Sequence, residues 1–328
     1  MRGGRLRESD WMCAACRLAS AALVVAAMAA GGAAAQDVEV QRSRVTALDN
    51  DYFVFTRPPN RRSDHNYTHG AALELTLPTA RNAVTRVPCD RRSACAVALS
   101  LGQQMYTPTK EDTVPVAGQR PHAGWLSARA ELRAIRTDRA LALGVVVGTT
   151  GPNARADDLQ AWIHRKDRFL RQPLGWDHQL PNELFYAATV RLEELRSVGE
   201  RPRWSVDAMP HVSAALGTLR ASAAASVTVR AGWGLRHPWV REPMTNGGIY
   251  LIARLGGEAV GHSLFLDGNG RRDFASVKRL SPVMELERGF GMRMLKLLVE
   301  YTVTARSREY LGGPEVHRVG RINATWLH

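Results

Sequence analysis

Past residue 35 the sequence has no apolar run of the roughly 18 residues that a membrane-crossing helix needs, so a helical membrane protein is excluded for the mature chain. Cysteine is scarce, four in 328 residues, and two of these, Cys13 and Cys16, lie in a leader and leave with it, so their spacing is no metal or redox motif. Aromatic residues make up only 7% of the chain, thin for two interfacial girdles. A serine elbow is also missing. "GHSLFLDG" carries Ser263 without the G-x-S-x-G frame and reads as ordinary strand sequence. Acidic residues are outnumbered, 31 Asp and Glu against 44 Lys and Arg, for a formal net charge of +13. In an exported chain that excess speaks for phosphates or a charged surface rather than nucleic acid.

Export is read from residues 1–35. Arg2, Arg5, Arg7 and Arg17 form a basic region, "ASAALVVAAMAAGG" an apolar core, and Ala33-Ala34-Ala35 before Gln36 a small-residue cleavage site, so 36–328 is the expected mature protein. An oxidising compartment in turn favours a disulfide between the two remaining cysteines, Cys89 and Cys95, which flank a short polar loop in "PCDRRSACAV".

What the sequence has in place of apolar helices is alternation. In "GWLSARAELRAI", Leu126, Ala128, Ala130, Leu132 and Ala134 share one parity, and Ser127, Arg129, Glu131 and Arg133 the other. "HGAALELTLP", "YAATVRLEE" and "AASVTVRAG" repeat the pattern. A soluble sandwich shows the same period with its apolar face turned inward. Export, strands long enough for the ~9 to 11 residues of a barrel span, and charged stripes suited to a polar lumen favour the alternative. The expected fold is all-β: an antiparallel transmembrane β-barrel of about twelve strands, an even number as such barrels have, with a short helix in a long loop.

That loop lies at about 151–182, too long for a hairpin connection. In "DDLQAWIHRKDRFL", Leu159, Trp162, Ile163 and Phe169 approximate an apolar stripe, Asp157 and Asp158 suit a helix start, and Pro173 follows its end. Gln160 and His164, four apart, share a face.

A second irregularity is "ALDNDYFVF" at 47–55, which sets Asp49, Asn50 and Asp51 among strand residues. It is either a turn, since Asn and Asp bond their own backbone, or a site.

The ordered set "DNDYFVFT", "HNYTHGAALELTL", "GQQMYTP" followed by "RPHAGWLSARAEL", "GVVVGTTGPNARADDLQAWIHR" and "LGWDHQLPNE" resembles the outer-membrane lipid A 3'-O-deacylases of the LpxR type, over about residues 45–190. The resemblance implies a twelve-stranded outer-membrane barrel with its site at the extracellular end. It also implies a divalent cation, calcium by expectation, and hydrolysis of the acyloxyacyl group at the 3' position of lipid A. Carried over position by position, the family's site falls on Asn50, Asp51, Thr68, Gln160 and His164. Asp51 is the expected metal ligand, and in the loop after His164, "RKDRFLRQPLGW", only Asp167 offers a further carboxylate. Because neighbouring strand residues point to opposite faces, a bulge or the strand's end must turn Asn50 or Asp51. Thr68 shares parity with Glu74 and Thr76 and is expected in the lumen, whereas His69 takes the lipid-facing parity and is left outside the site. Arg57, Arg61, Arg62, Lys110 and Arg120, in loops flanking these motifs, are candidate ligands for lipid A phosphates. A monomer acting on lipopolysaccharide is the expected state. The alternatives are a structural or pore-forming barrel without activity, and an esterase for another surface lipid.

Overall fold

The computed structural model describes residues 38–55, 65–80, 88–90, 92–109, 114–166, 173–201, 204–243, 247–268 and 276–328. Thirteen strands form one antiparallel sheet in the order β6-β5-β4-β3-β2-β1-β13-β12-β11-β10-β9-β8-β7, and a further pairing of β6 (Leu184–Glu194) with β8 (Trp204–Gly217) closes it. Twelve strands make the barrel. The short β7 (Arg196–Arg201) extends beside β8 outside the closed ring. Closure pairs what would otherwise be two open strand edges, which a bilayer does not tolerate.

The period-two pattern sorts side chains as the sequence implies. One outward row runs Leu73, Leu101, Ala128, Val147 across β2 (Asn66–Thr79), β3 (Ala94–Thr107), β4 (Ala123–Ile135) and β5 (Arg139–Thr150). Its larger members are half exposed or more, as a lipid-facing wall requires. Described aromatics on that wall are few: at one rim Trp204 pairs with Trp233 across β8 and β9 (Arg220–Trp233) and Trp326 lies near the chain end, while Tyr186 stands beside Val147 and Phe290 opposite Tyr301 elsewhere on the wall.

Inward residues are charged and paired. Glu131 accepts from Arg129, Arg133 and Arg191, and Arg133 also reaches Glu74 at 2.9 Å. Toward the opposite rim the lumen turns apolar: Tyr106, Trp125, Phe185 and Phe265 stack with ring centroids 4.9–5.8 Å apart. Phe265 belongs to a helical turn, Leu264–Asp267, that follows β10 (Gly248–Ser263) and buries Leu264, Phe265 and Leu266. This rim, called upper here, carries the connections at 51–65, 108–122, 151–183, 264–282 and 308–315. Cys89 and Cys95 are joined at the lower rim, where the β2–β3 connection meets the start of β3, with Cα atoms 5.9 Å apart.

Candidate active site on the outer wall

β1 (Ser43–Asn50) ends at Asn50, and a 3-10 turn, Asp51–Phe53, follows at once. Asn50 caps that turn, its Oδ1 accepting the Tyr52 N–H at 2.7 Å, while its Nδ2 lies 3.5 Å from His69 Nδ1. The strand's end, rather than a bulge, separates Asn50 from Asp51. Asp51 is 1% exposed, and its Oδ2 accepts the backbone N–H of His65 at 2.8 Å. Asp49, one residue earlier, points into the lumen, where Arg321 and the Tyr67 hydroxyl hold it at 2.5–2.7 Å. "DND" is therefore divided between the two faces, a lumen anchor and a site.

A bulge does occur in β2, and it corrects the expected placement of Thr68. Tyr67 pairs with Tyr106 and His69 with Met105, leaving Thr68 as the extra residue. The Thr68 hydroxyl meets that of Thr107 at 2.8 Å, both buried. In β3, Tyr106 points inward to Phe265, so Thr107 and Met105 point outward, and Thr68 lies with them outside the barrel. His69 keeps the outward parity expected of it, and outward is the side of the site. Asn50, His69, Met105 and Gly124 form one cross-strand row on the outer wall, so His69 stands beside Asn50 rather than away from the candidate residues.

Helix α1 (Ala156–Lys166) covers this row. Ala156, Gln160 and His164, four apart, are its buried face. Ala156 sits against Gly124, where any Cβ would overlap its own, and packs with Met105, Trp176 and Leu159. Gln103, outward from β3, donates to the Ala154 carbonyl at 2.6 Å and ties down the helix start. The apolar stripe read from the sequence is not the buried one: Trp162 is 54% exposed, Ile163 half-buried, and Phe169 lies outside the described residues. The helix turns polar residues toward the wall and an aromatic away from it, the reverse of ordinary amphipathic packing.

Behind the helix a 3-10 turn, Trp176–His178, places Trp176 so that its indole N–H donates to Gln160 Oε1 at 2.6 Å. His122, at the start of β4, packs on the Trp176 ring with centroids 5.0 Å apart. Burial and the neighbouring His178 bring the His122 pKa down to about 4, so its ring is neutral at physiological pH. His69, Trp176 and Gly124 were not singled out as functional in the sequence. The legible signal was the "LGWDH" motif beside the helix and a glycine in an outward row of larger residues.

Arg120 stands apart from the site. It is 2% exposed, bridges to Glu309 at 3.4 Å and stacks over the Tyr106 ring, so it braces the upper lumen rather than presenting a cation to a ligand. Burial raises the Glu309 pKa, but Arg306 and Arg120 outweigh it and hold the carboxyl below the usual range. Arg57, Arg61, Arg62, Lys110 and Asp167 lie outside the described residues, as does the leader. Among the described residues no group of three or more His, Cys, Asp and Glu side chains is placed to hold a metal.

Comparison with known proteins adds the family. The model described as "Outer membrane protein LpxR" matches residues 18–328. Among solved structures, LpxR from Salmonella typhimurium is similar with a TM-score of 0.71 and 18% identity, covering 87% of this chain and all of that one. The β domain of the Bordetella autotransporter BrkA is more distant, with a TM-score of 0.43, 11% identity, and coverage of 89% and 99%. No curated protein matches the sequence.

Proposed function

Because the chain belongs to the LpxR family of outer-membrane proteins, we propose that it is a lipid A 3'-O-deacylase, a hydrolase that removes the 3'-linked acyloxyacyl group in the outer leaflet of the outer membrane. One observation carries this reading. Gln160 and His164 are buried polar side chains held against the lipid-facing side of a barrel, on the wall that also carries Asn50 and Thr68. Polar groups there are costly and mark functional sites. A site on the outer wall takes its substrate sideways from the membrane, without passage through the lumen.

His164 is the general base. Its imidazole takes a proton from water as the oxygen attacks the ester carbonyl carbon, and the same proton goes to the 3' oxygen as the C–O bond breaks. The products are the free acyloxyacyl acid and a lipid A with a 3'-hydroxyl. Gln160 and Asn50 carry amide N–H groups for the carbonyl oxygen, and a well-placed donor of this kind contributes about 3 to 4 kcal/mol to the transition state. Thr68, bonded to Thr107, supports the floor.

Calcium fits the donor chemistry as a hard cation with one charged ligand. Asp51 would supply its carboxylate, and amide, backbone-carbonyl and water oxygens the remaining positions, an all-oxygen set that suits calcium better than zinc, which favours nitrogen and sulfur. When bound, the ion would supply positive charge that polarises the ester carbonyl. Lys110, Arg61 and Arg62 remain the proposed contacts for the lipid A phosphates.

The reading is tested by mass spectrometry of lipid A from cells expressing the wild type or His164→Ala. Loss of the 3' acyloxyacyl group only with the wild type supports it. Unchanged lipid A in both, with correct insertion, would sink it in favour of an esterase for another surface lipid or an inactive barrel. Against a passive pore stands the stacked aromatic filling of the upper lumen.

A further inference from the structure

Trp176 and Gln160 form a buried pair whose orientation is settled by chemistry. An indole offers one N–H and no acceptor, so the amide atom 2.6 Å from it must be the Gln160 oxygen. The amide cannot flip without setting N–H against N–H. Nε2 must therefore point away from the indole, and there it is buried with no acceptor among the described residues, on a side chain only 2% exposed. Buried amide hydrogens without an acceptor are rare, because the lost hydrogen bonds to water are not replaced. The indole is itself fixed: its ring packs on His122 and, with Met105 and Ala156, fills the space between helix and wall. The turn that carries it is entered through Gly175 at φ 86°, a conformation suited to glycine.

We propose that Trp176 is a positioning residue, whose indole N–H locks the Gln160 amide so that Nε2 donates to the carbonyl oxygen of the scissile ester, on the same helix face as His164. This deepens the deacylase reading and rests on it. The donor is oriented before substrate arrives, so it need not reorganise when negative charge builds on that oxygen. His164 then handles the proton and Gln160 the charge.

The decisive variants separate donor from support. Trp176→Phe keeps an aromatic ring against His122 and removes the N–H. Gln160→Glu keeps an acceptor for the indole and removes the amide donor. With purified lipid A and detergent-folded protein, Gln160→Glu should lower kcat roughly 100-fold or more. Trp176→Phe should lower kcat by about 10- to 100-fold with KM within about twofold, as for an interaction made in the transition state. The double variant should be no slower than Gln160→Glu alone, because there is no donor left to orient. An unchanged kcat in Trp176→Phe, or a double variant slowed by the product of the two single factors, would overturn the proposal.

A readout without turnover completes the test. In ¹⁵N-indole spectra of the folded protein, the resonance lost in Trp176→Phe should shift in Gln160→Met, and a resonance that stays put would also refute the pairing. A wild type that releases no acyl chain would remove the deacylase reading and the positioning role together. Normal wild-type turnover with an unaffected Trp176→Phe removes only the second.

Discussion

The lumen and the outer wall beneath α1 both bury polar side chains, and they do so by opposite means. In the lumen, charge is met by charge: Glu131 by three arginines, Asp207 by Arg230, Asp49 by Arg321. On the outer wall the buried groups include amides, an imidazole and hydroxyls, with Asp51 the one carboxylate among the candidates. Gln160 there keeps an amide nitrogen with no acceptor among the described residues. The lumen neutralises its carboxylates within itself, a structural arrangement even though single atoms such as Arg254 Nε and Thr302 Oγ1 find no partner there among the described residues, whereas the wall keeps an uncharged amide donor beside His164 and is suited to a substrate. The sign of the difference also suits the lipid side, where unpaired formal charges would cost most.

That contrast can be broken most sharply at His164. His164→Ala should insert normally, with heat-modifiable mobility preserved, while acyl release falls by ~100- to 10,000-fold. Turnover of the wild type should decline as pH falls, since a protonated ring cannot accept the water's proton. Chelation comes next: excess chelator should abolish hydrolysis and calcium restore it, with Asp51→Asn losing the response because an amide is a poorer calcium ligand. Full turnover in chelator would show that no divalent ion takes part.

Gly124→Val tests the wall rather than the chemistry. Its side chain would occupy the space of Ala156 and push α1 outward, so turnover should drop about 10-fold or more, the sensitivity expected of small misplacements, while the barrel stays folded. In the lumen the expectation is reversed. Glu131→Gln removes the carboxylate shared by Arg129, Arg133 and Arg191, and because Arg133 keeps Glu74 and the other two are partly exposed, the stability lost should be about 1–3 kcal/mol, below the cost of stranding a fully buried charge. Turnover of the folded fraction should stay within about twofold, surface-like in its effect on the distant site. A large loss of turnover without loss of stability would mean the two faces are coupled.

The smallest effect concerns His122. Its pKa is depressed in the fold to about 4 against an ordinary value near 6.5, so the unfolded loop binds the extra proton between these values. The stability it contributes is present above about pH 6.5 and is lost as pH falls toward 4. Limited proteolysis of the 151–183 connection should accelerate across that window in the wild type and not in His122→Phe. Because His122 braces Trp176, its variants also bear on Gln160 and are no neutral controls for His164.

How much of this was legible differs from residue to residue. The alternation of Leu126, Ala128 and Ala130 with Arg129, Glu131 and Arg133 shows two-faced strands, because strand faces follow from a period of two with no reference to distant chain, and it was export and strand length that favoured a barrel over a sandwich. The long connection and the pairing of Gln160 with His164 on one helix face were equally local. Thr68 was placed wrongly because a bulge is a property of two strands: only the register of β2 against β3 shows that it is the extra residue. For His69, parity gives the lipid-facing direction correctly but does not show that α1 covers that face. Arg120 looked like a free loop cation until Glu309 and Tyr106, far along the chain or across the sheet, closed around it.

By itself, then, the sequence determined two-faced strands, a helix in the long connection and the chemical types of the candidate residues, since side-chain alternation, helix periodicity and residue chemistry act over a few neighbours. Only the tertiary structure decided that the sheet closes, which side of the wall the candidate residues share, that α1 seats Ala156 on Gly124 and Met105, and that Trp176 holds the Gln160 amide. Those outcomes depend on register and close approach between segments tens of residues apart, where one extra residue in a strand reverses the direction of a side chain.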